Sequence, residues 1–179
     1  MFANRVEVWF GIIPTMMKIT VQRVALDDIP QVKKLLSDTW SDTYGSFLSK
    51  STIEKVTAVW HSPENLKAQA QNPDSYFATA KDETGQIVGL VTVRKISADT
   101  LFMDRLYVHP RHQRQGIGKQ LVETAIKAFP AGRKLQLEVE EENQKGVGFY
   151  QKHGFRELHR KEEHIEGEIL HSIVMVKVL

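Results

Sequence analysis

A glycine-rich junction between a predicted strand and a predicted helix carries the most specific chemistry in the sequence. Gly116 and Gly118 open a run whose apolar residues repeat with helical spacing, and Arg114 and Lys119 lie beside them. The first amides of a helix lack intrahelical partners and lie at the positive end of the helix dipole, so such a terminus binds phosphate. Glycine has no Cβ, which lets a diphosphate approach the backbone. The junction therefore predicts a site for a phosphate-bearing ligand.

Two common phosphate-binding motifs do not fit this junction. The dinucleotide fingerprint requires a small residue three positions after its second glycine, where this chain has Leu121. The P-loop requires a glycine five residues before its Gly-Lys pair and a hydroxyl after it, but Gln113 and Gln120 occupy those positions. For the loop taken alone, a glycine-rich helix start without a ligand is the competing structural interpretation.

A longer pattern decides between these interpretations. The sequence Tyr107-Val108-x-Pro110 ends a predicted strand, and Gln113-x-x-Gly116-x-Gly118 follows it; a second block is Asn143-x-x-Gly146-x-x-Phe149-Tyr150-x-Lys152-x-Gly154-Phe155. Together, and with the spacing between them, the two blocks resemble the signature of the GCN5-related N-acetyltransferase (GNAT) superfamily. The resemblance covers roughly residues 18–179 and implies an enzyme that transfers the acetyl group of acetyl-CoA to an amine.

The resemblance also implies a coenzyme site built mainly from backbone groups. Arg114 would lie beside the diphosphate. The diphosphate itself would be bound by the backbone amides at the start of the helix, those of Gln115, Gly116, Ile117, Gly118 and Lys119. Main-chain groups of Leu106, Tyr107 and Val108 would pair with the pantetheine arm as if it were another strand. Asn143 would contact the arm or cap the short helix that follows it. Tyr150 would face the sulfur, and Gln113 and Lys152 complete the expected set.

The second block departs from the family pattern at two glycines. Gly146 stands where the family has alanine, and Gly148 is an additional glycine. Each glycine within a helix costs ~1 kcal/mol relative to alanine, so the helix is expected to present Tyr150 less rigidly. A ligand that packs closely against the helix would explain both glycines.

Acetyl transfer to an amine poses two proton-transfer problems. The attacking amine must be neutral, although a lysine-like amine has a pKa of ~10.4, and the departing thiolate, with a thiol pKa of ~8.5, benefits from a proton donor. Tyr150 is the candidate donor. The chain has no cysteine, so an acetyl-thiol enzyme intermediate is impossible and direct transfer within a ternary complex is expected.

Two sets of carboxylates are candidates for the general base. Alternation places Asp104 on one face of its strand with Phe102 and Leu106, while Glu138 and Glu140 share a face of the strand across the implied gap. Either set can accept a proton through water, and Asp104 and Glu138 join Tyr150 as the catalytic candidates. A solvated or ion-paired carboxylate is the competing interpretation for each.

The acceptor is less clearly indicated by the sequence. Two interpretations fit the aromatic side chains of Trp40, Tyr44 and Phe47: an acceptor pocket, or ordinary core residues. The segment 38–44 looks like the corresponding segment of polyamine acetyltransferases, which favours a small primary amine, with polyamines as one candidate. Acetylation of a protein N-terminus or lysine, and a non-catalytic coenzyme A sensor, are the alternatives. Because dimers are common among such relatives, a homodimer is among the expectations.

Composition narrows the remaining classes of function. The net charge of +2 and the absence of a long basic stripe argue against a nucleic-acid partner. Without cysteine, disulfides and Cys-rich zinc sites are excluded, and the loose histidine spacing predicts no metal. The apolar stretch 8–13 is too short to cross a bilayer, which needs ~20 residues, and no targeting signal is recognised. A cytoplasmic protein without a membrane partner is therefore expected.

The pattern along the chain predicts one α/β domain. Strands are predicted over 18–24, 76–80, 87–96, 101–108, 134–140, 155–164 and 169–178. Helices are predicted from Asp27 onward and over 52–60, 63–71, 116–129 and 143–152, with a loop over 40–48. The resemblance implies a GNAT fold: a mostly antiparallel mixed sheet of about seven strands, helices on both faces, and a splayed strand pair that holds coenzyme A.

The domain boundary is expected near residue 16. Met16 and Met17 come directly before the first alternating segment, so residues 1–15 are interpreted as an appendage and 16–179 as the acetyltransferase domain. Val6, Val8 and Phe10 also alternate, and an additional strand is the alternative.

Overall fold

Segments with alternating apolar residues form the seven strands of a single sheet in the computed structural model, which describes residues 18–179. The strands are β1 (Thr20–Arg23), β2 (Ser75–Lys81), β3 (Ile87–Lys95), β4 (Thr100–Val108), β5 (Lys134–Glu140), β6 (Arg156–Ile165) and β7 (Glu168–Val178). The helices are α1 (Ile29–Tyr44), α2 (Lys50–Trp60), α3 (Pro63–Gln71), α4 (Ile117–Lys127) and α5 (Gln144–Lys152). The predicted appendage at residues 1–15 lies outside the described residues.

The sheet contains a strand pair that separates partway along its length. The strand order is β1-β2-β3-β4-β5-β7-β6, and every neighbouring pair is antiparallel except β4 and β5, which are parallel. Pairing of β4 with β5 runs only from Thr100–Lys134 to Met103–Leu137. Beyond that point the two strands no longer pair. The expected mixed, mostly antiparallel sheet with a splayed pair is thus confirmed.

Helices cover both faces of the sheet. One face packs against α4 and α5 through a core that includes Leu121, Leu135 and Leu137, all at most 1% exposed. The other face packs against α1 and α3 through a second core that includes Leu36 and Phe77. The apolar stripe of α4 explains why this helix was predictable from sequence. None of the helices in residues 18–179 is both long and apolar enough to cross a bilayer.

A β-bulge in β4 changes the face of the sheet on which residues after Asp104 lie, compared with the prediction from simple alternation. The register shifts between Thr92 and Val93 of β3, opposite residues 103–105 of β4. Met103 and Leu106 therefore both contact the α4–α5 core, although they are three residues apart. The expectation that Asp104 shares a face with Leu106 is wrong, because a bulge adds one residue and breaks the alternation. The bulge lies where β4 separates from β5.

The predicted loop over 40–48 is also wrong in its first half. Helix α1 continues through Trp40 and ends at Tyr44. Their rings, one helical turn apart, have centroids separated by 4.4 Å, and Trp40 is only 6% exposed. Burial of these aromatic rings outweighs the weak helix propensity of the neighbouring Ser and Thr residues. The connection to α2 is correspondingly short.

Candidate active site

The loop before α4 presents a row of free backbone amides. Arg114 and Gly116 both have positive φ angles, 64° and 83°. The first backbone bond of the following helix is donated by Gln120 to the carbonyl of Gly116, at 3.0 Å. Within residues 18–179, the amides from residue 114 to 119 donate no hydrogen bond. Such a concave run of amides at a helix N-terminus is the arrangement that binds phosphate oxygens.

The two glycines of this loop have different structural roles. Gly116 needs its positive φ, and a Cβ there would have no atom within 4 Å. A Cβ on Gly118 would lie 3.2 Å from the ring carbon Cζ of Phe149 in α5. Gly118 therefore allows α4 to approach α5 closely. This differs from the sequence-based reason, in which both glycines make room for a diphosphate.

Polar side chains around the loop hold it in place. The side-chain amide of Gln113 donates to the carbonyl of Val108 at 3.1 Å, which ties the loop to the end of β4. Gln115 donates to the carbonyl of Arg111 at 3.4 Å. Lys119 lies 3.8 Å from Glu123 on the exposed side of α4. Arg114 forms no ion pair among the described residues, so its guanidinium is available beside the free amides.

The end of β4 has one open backbone edge. Residues 105–108 pair with β3 on one side but lie past the last paired residues of β5 on the other. Side chains of Leu106 and Val108 pack against the α4–α5 core, whereas Tyr107 points to the opposite face and contacts α1. An extended arm can therefore bond to this edge as an added strand, which fits a pantetheine chain.

Helix α5 begins with a side-chain cap. The Oδ1 atom of Asn143 accepts a hydrogen bond from the amide of Gly146 at 2.9 Å, so of the two roles expected for Asn143 the structure shows capping. A Cβ on Gly146 would lie 2.8 Å from the Asn143 side chain, whereas Gly148 has nothing within 4 Å. Lys152 lies exposed in the last turn. The cap therefore explains why residue 146 is a glycine without any contribution from a ligand.

Tyr150 is buried on the side of α5 that faces the sheet. It is 9% exposed, and its ring packs edge-on against Phe155 with centroids 5.5 Å apart. Burial, followed by the neighbouring phenol of Tyr107, raises the pKa of the Tyr150 hydroxyl above its usual value. The hydroxyl is therefore protonated at neutral pH. It has no hydrogen-bond acceptor within residues 18–179, so it is free to donate to a ligand atom.

Both predicted base candidates are held by cations. Asp104 accepts a hydrogen bond from Arg94 Nε at 2.9 Å, although burial raises the pKa of this carboxyl group. Glu138 lies 2.7 Å from Lys161 Nζ on β6. A carboxylate engaged by a cation is a weaker proton acceptor than one that is free. The structure therefore places both residues near the splayed strands but in ion pairs.

Glu140, at the end of β5, differs from these two carboxylates. Its only described partner is the hydroxyl of Ser172, which donates at 3.1 Å. Burial raises the pKa of Glu140 to about 7, and the negative charges of Glu163, Glu142 and Glu138 act in the same direction, while the Ser172 hydrogen bond opposes them. The sequence placed Glu140 on the correct face with Glu138. It carried no signal that Glu138 has a lysine partner and Glu140 has none.

Aromatic residues of α1 close the site on the face opposite α5. The indole Nε1 of Trp40 donates to the hydroxyl of Tyr107 at 2.9 Å. Tyr44 packs beside Trp40, and burial raises the pKa values of the Tyr44 and Tyr107 hydroxyls, with the charge of Glu140 adding to both shifts. Trp40 is thus a core residue, and the phenols of Tyr44 and Tyr107 form the polar part of this wall.

Comparison with known proteins identifies the family. The sequence profile of the acetyltransferase (GNAT) family matches residues 31–155. A spermidine N(1)-acetyltransferase from Thermoplasma acidophilum is 26% identical over 147 residues, which cover 78% of this chain and 89% of that protein. The peptidyl-lysine N-acetyltransferase YiaC from Escherichia coli is 34% identical over 86 residues, which cover 46% and 54%.

A solved structure supports the same assignment. The PaiA N-acetyltransferase from Thermoplasma acidophilum, crystallised with coenzyme A, aligns with a TM-score of 0.78 and 25% identity. The alignment covers 91% of this chain and all of that one. The family profile, the splayed strands and the free amides before α4 agree, and the chain belongs to the GNAT family as an N-acetyltransferase that uses acetyl-CoA.

Proposed function

We propose that the protein acetylates the primary amine of a small molecule, with polyamine-like amines as candidate acceptors, by direct attack within a ternary complex. The carboxylates Glu138, Glu140 and Glu163 lie on the sheet face opposite α5. Lys161 pairs with both Glu138 and Glu163, so this group of side chains keeps an excess of carboxylates over cations. Such a surface attracts cationic amines. The similarity to a spermidine acetyltransferase supports the same acceptor class.

The coenzyme would be held by the backbone of two segments. Amides of residues 115–119 and the guanidinium of Arg114 would bind the diphosphate, and the open edge of Leu106, Tyr107 and Val108 would pair with the pantetheine arm. When bound, the coenzyme supplies the thioester whose acetyl group is transferred. Asn143 would set the start of α5, and Gln113 and Lys152 would complete the coenzyme surface.

Two side chains would move the protons. Glu140 would take a proton from the acceptor ammonium, directly or through water, because a base with a pKa of about 7 is matched to neutral pH. The hydroxyl of Tyr150 would donate to the departing sulfur. Asp104 and Glu138, the bases expected from sequence, are secondary candidates because Arg94 and Lys161 hold them.

The observation that carries this proposal is the separation of β4 from β5 with Glu140 at its rim. The gap gives a thioester access to the face that bears Glu140. Ser172, the one described partner of Glu140, is a neutral donor and leaves carboxylate lone pairs open. An acceptor amine that enters on this face would meet the only one of the three base candidates, Asp104, Glu138 and Glu140, that is not ion-paired in the described chain.

A protein lysine is the second candidate acceptor. The partial match to a peptidyl-lysine acetyltransferase favours it, and a lysine side chain presents the same primary amine. The β6–β7 hairpin and α2 approach each other on this face, where Lys55 lies 2.9 Å from Glu166. This closed side favours a small amine over an extended peptide. The homodimer and the cytoplasmic location remain predictions.

Release of free coenzyme A in the presence of an amine panel tests the proposal. The panel should contain a diamine, spermidine, an amino-acid amide and a lysine peptide. We expect turnover with at least one small amine, and a kcat/KM that rises with pH and levels off above about pH 7. Glu140→Gln should lose this rise and most of the activity, whereas Glu138→Gln serves as the matched control. Coenzyme binding without release for any amine would favour a sensor instead.

A further inference from the structure

An open cavity at the surface, separate from the proposed coenzyme site, lies between the last residue of α2, the exposed side of α3 and Arg105 of β4. Its volume is about 350 Å³, and it is lined by Trp60, Asn65, Ala68, Gln69, Asn72 and Arg105. Three of these six residues carry a side-chain amide and one carries an indole. The other two are an alanine and the positively charged Arg105. No acidic residue lines the cavity. Its chemistry is thus that of a site for a neutral or anionic ligand.

Arg105 is the charged residue of this cavity and has no acidic partner. Its guanidinium donates to the side-chain oxygen of Gln69 and to the carbonyl of Trp60, the latter at 3.1 Å. No carboxylate lies within ion-pair distance of Arg105 in residues 18–179. A half-buried guanidinium normally pairs with a carboxylate, because neutral acceptors offset only part of its lost hydration. Two of its five N–H donors have described partners, which leaves capacity for an anion.

A buried histidine beside the cavity does not change its charge. His61, next to Trp60, is 3% exposed, and burial, together with the charges of Arg105 and Lys33, lowers its pKa to about 3. The imidazole is therefore neutral and adds no charge. Asp104, next to Arg105 in the sequence, is paired with Arg94 at 2.9 Å. Arg105 is thus the one charged residue that lines the cavity, and no carboxylate of residues 18–179 forms an ion pair with it.

We infer that this cavity binds a small carboxylate, with the carboxylate on the guanidinium of Arg105 and the rest of the ligand against the indole of Trp60. A guanidinium can bind a carboxylate through two parallel hydrogen bonds in one plane. Three of the five N–H donors of Arg105 have no described partner and remain for such bonds. Trp60 is 47% exposed, which is unusual for such a large apolar ring and gives the ligand a flat surface to cover.

The position of Arg105 connects this cavity with acetyl transfer. Arg105 lies two residues before Tyr107 on β4; burial raises the pKa of the Tyr107 hydroxyl, and the charge of Arg105 opposes this shift while that of Glu140 adds to it. The carboxylate therefore has two potential sources that share one chemistry. It is either part of the acceptor, whose amine would then lie toward Glu140, or a separate carboxylic acid. Binding itself does not depend on the proposed acetyl transfer.

A titration with benzoate tests the inference without turnover. The indole N–H signal of Trp60 in a ¹H–¹⁵N spectrum reports occupancy of the cavity, and benzamide serves as the neutral isostere. We expect a saturable shift with benzoate and little with benzamide. Arg105→Gln should weaken benzoate binding at least tenfold. Ala68→Phe fills the cavity from an exposed helix position while keeping Arg105, and it should abolish binding.

Matched variants and amines separate the outcomes. Arg156→Gln removes an exposed arginine on β6 and should leave benzoate binding unchanged. Equal binding of benzamide and benzoate, or full binding by a folded Arg105→Gln or Ala68→Phe protein, would overturn the inference. If the carboxylate belongs to the acceptor, Arg105→Gln should raise the KM for 4-aminobutyrate but not for 1,4-diaminobutane. If it is a separate ligand, both KM values stay unchanged while benzoate binding is lost.

Discussion

The proposed coenzyme side and the proposed acceptor side of the active site are built from different parts of the chain. The coenzyme side consists of two continuous segments, 106–119 and 143–152, and offers backbone amides, an open strand edge and one helix cap. The proposed acceptor side consists of single side chains from α1, α2, β4, β5, β6 and β7, and offers carboxylates, phenols, the ammonium of Lys161 and the guanidinium of Arg105. Backbone sites tolerate most side-chain changes, whereas side-chain sites depend on individual residues. Mutations should therefore separate the two sides.

The largest effect is expected where the two sides meet, at Tyr150. The Tyr150→Phe substitution keeps the ring and its packing but removes the hydroxyl that has no acceptor in the described chain. If this hydroxyl donates to the leaving sulfur, the acetyl-transfer rate in a single turnover should fall by ~10²–10⁴. Coenzyme affinity should change little, because the proposed diphosphate contacts lie in the loop before α4.

Phe149→Leu serves as the control for this substitution. It alters the neighbouring ring that packs near Gly118 without removing a donor. A single-turnover rate in Tyr150→Phe equal to that of the wild type would remove Tyr150 from the mechanism and leave water as the proton source. A steady-state rate alone is insufficient, since product release can mask a slower chemical step.

The next effect, on coenzyme affinity alone, is expected at Arg114. Arg114→Asn removes the charge but retains a residue that tolerates the positive φ of 64°. The loss of a charge-assisted bond to the diphosphate, ~1.5–3 kcal/mol, corresponds to a ten- to hundredfold weaker coenzyme affinity by calorimetry. The KM for the amine should stay the same.

Arg114→Lys is the matched variant, because it keeps the charge and has the same backbone preference as arginine. It should recover most of the coenzyme affinity. If Arg114→Asn and the wild type bind coenzyme A equally, the diphosphate does not lie beside Arg114, and the proposed coenzyme site needs revision.

The sequence predicted the strand end, the start of α4 and the Asn143 cap because the information for these features is local. Glycine spacing, strand ends and the Asn143 cap act within a few residues of one another, so a pattern of residue types specifies them. The acceptor side is determined by partners distant in sequence. Glu138 meets Lys161, and Trp40 meets Tyr107, through the strand order and the packing of α1. The bulge at Asp104 also has no signature in residue type. These features decide which carboxylate is free, and composition cannot show them.

A moderate effect on stability is expected at Glu140. Its pKa is raised from 4.5 to about 7, so the folded state holds a proton that the unfolded state has lost over this range. The wild type therefore loses stability as pH rises from about 4.5 to 7, and the loss is constant above that. Glu140→Gln has no charge to bury and should be more stable above pH 7, by ~1–2 kcal/mol once solvent screening of this half-buried group is taken into account.

Thermal unfolding at several pH values measures this difference. The Tm gain of Glu140→Gln over the wild type should increase between pH 5 and 7 and shrink toward zero near pH 4. Glu142→Gln, for which burial is smaller, serves as the control. A gain that does not depend on pH would show that Glu140 is not the titrating group, and its assignment as the base would then lose its support.

The smallest effect is expected at Gly148 in α5, on the proposed coenzyme side. A substitution there tests whether the backbone of α5 packs against the coenzyme. A Cβ at this position has no atom within 4 Å, and the backbone is helical, so Gly148→Ala should stabilise the protein by ~0.5–1 kcal/mol. For a chain of this size the gain corresponds to a Tm increase of ~1–4 °C.

Gly116→Ala is the opposite case, because the φ of 83° at this position makes any side chain strained, and it should lower the Tm. If Gly148→Ala raises the Tm but weakens coenzyme binding, the ligand packs against α5 and explains the glycine. If binding is unchanged, α5 contributes to the coenzyme site through residues other than Gly148.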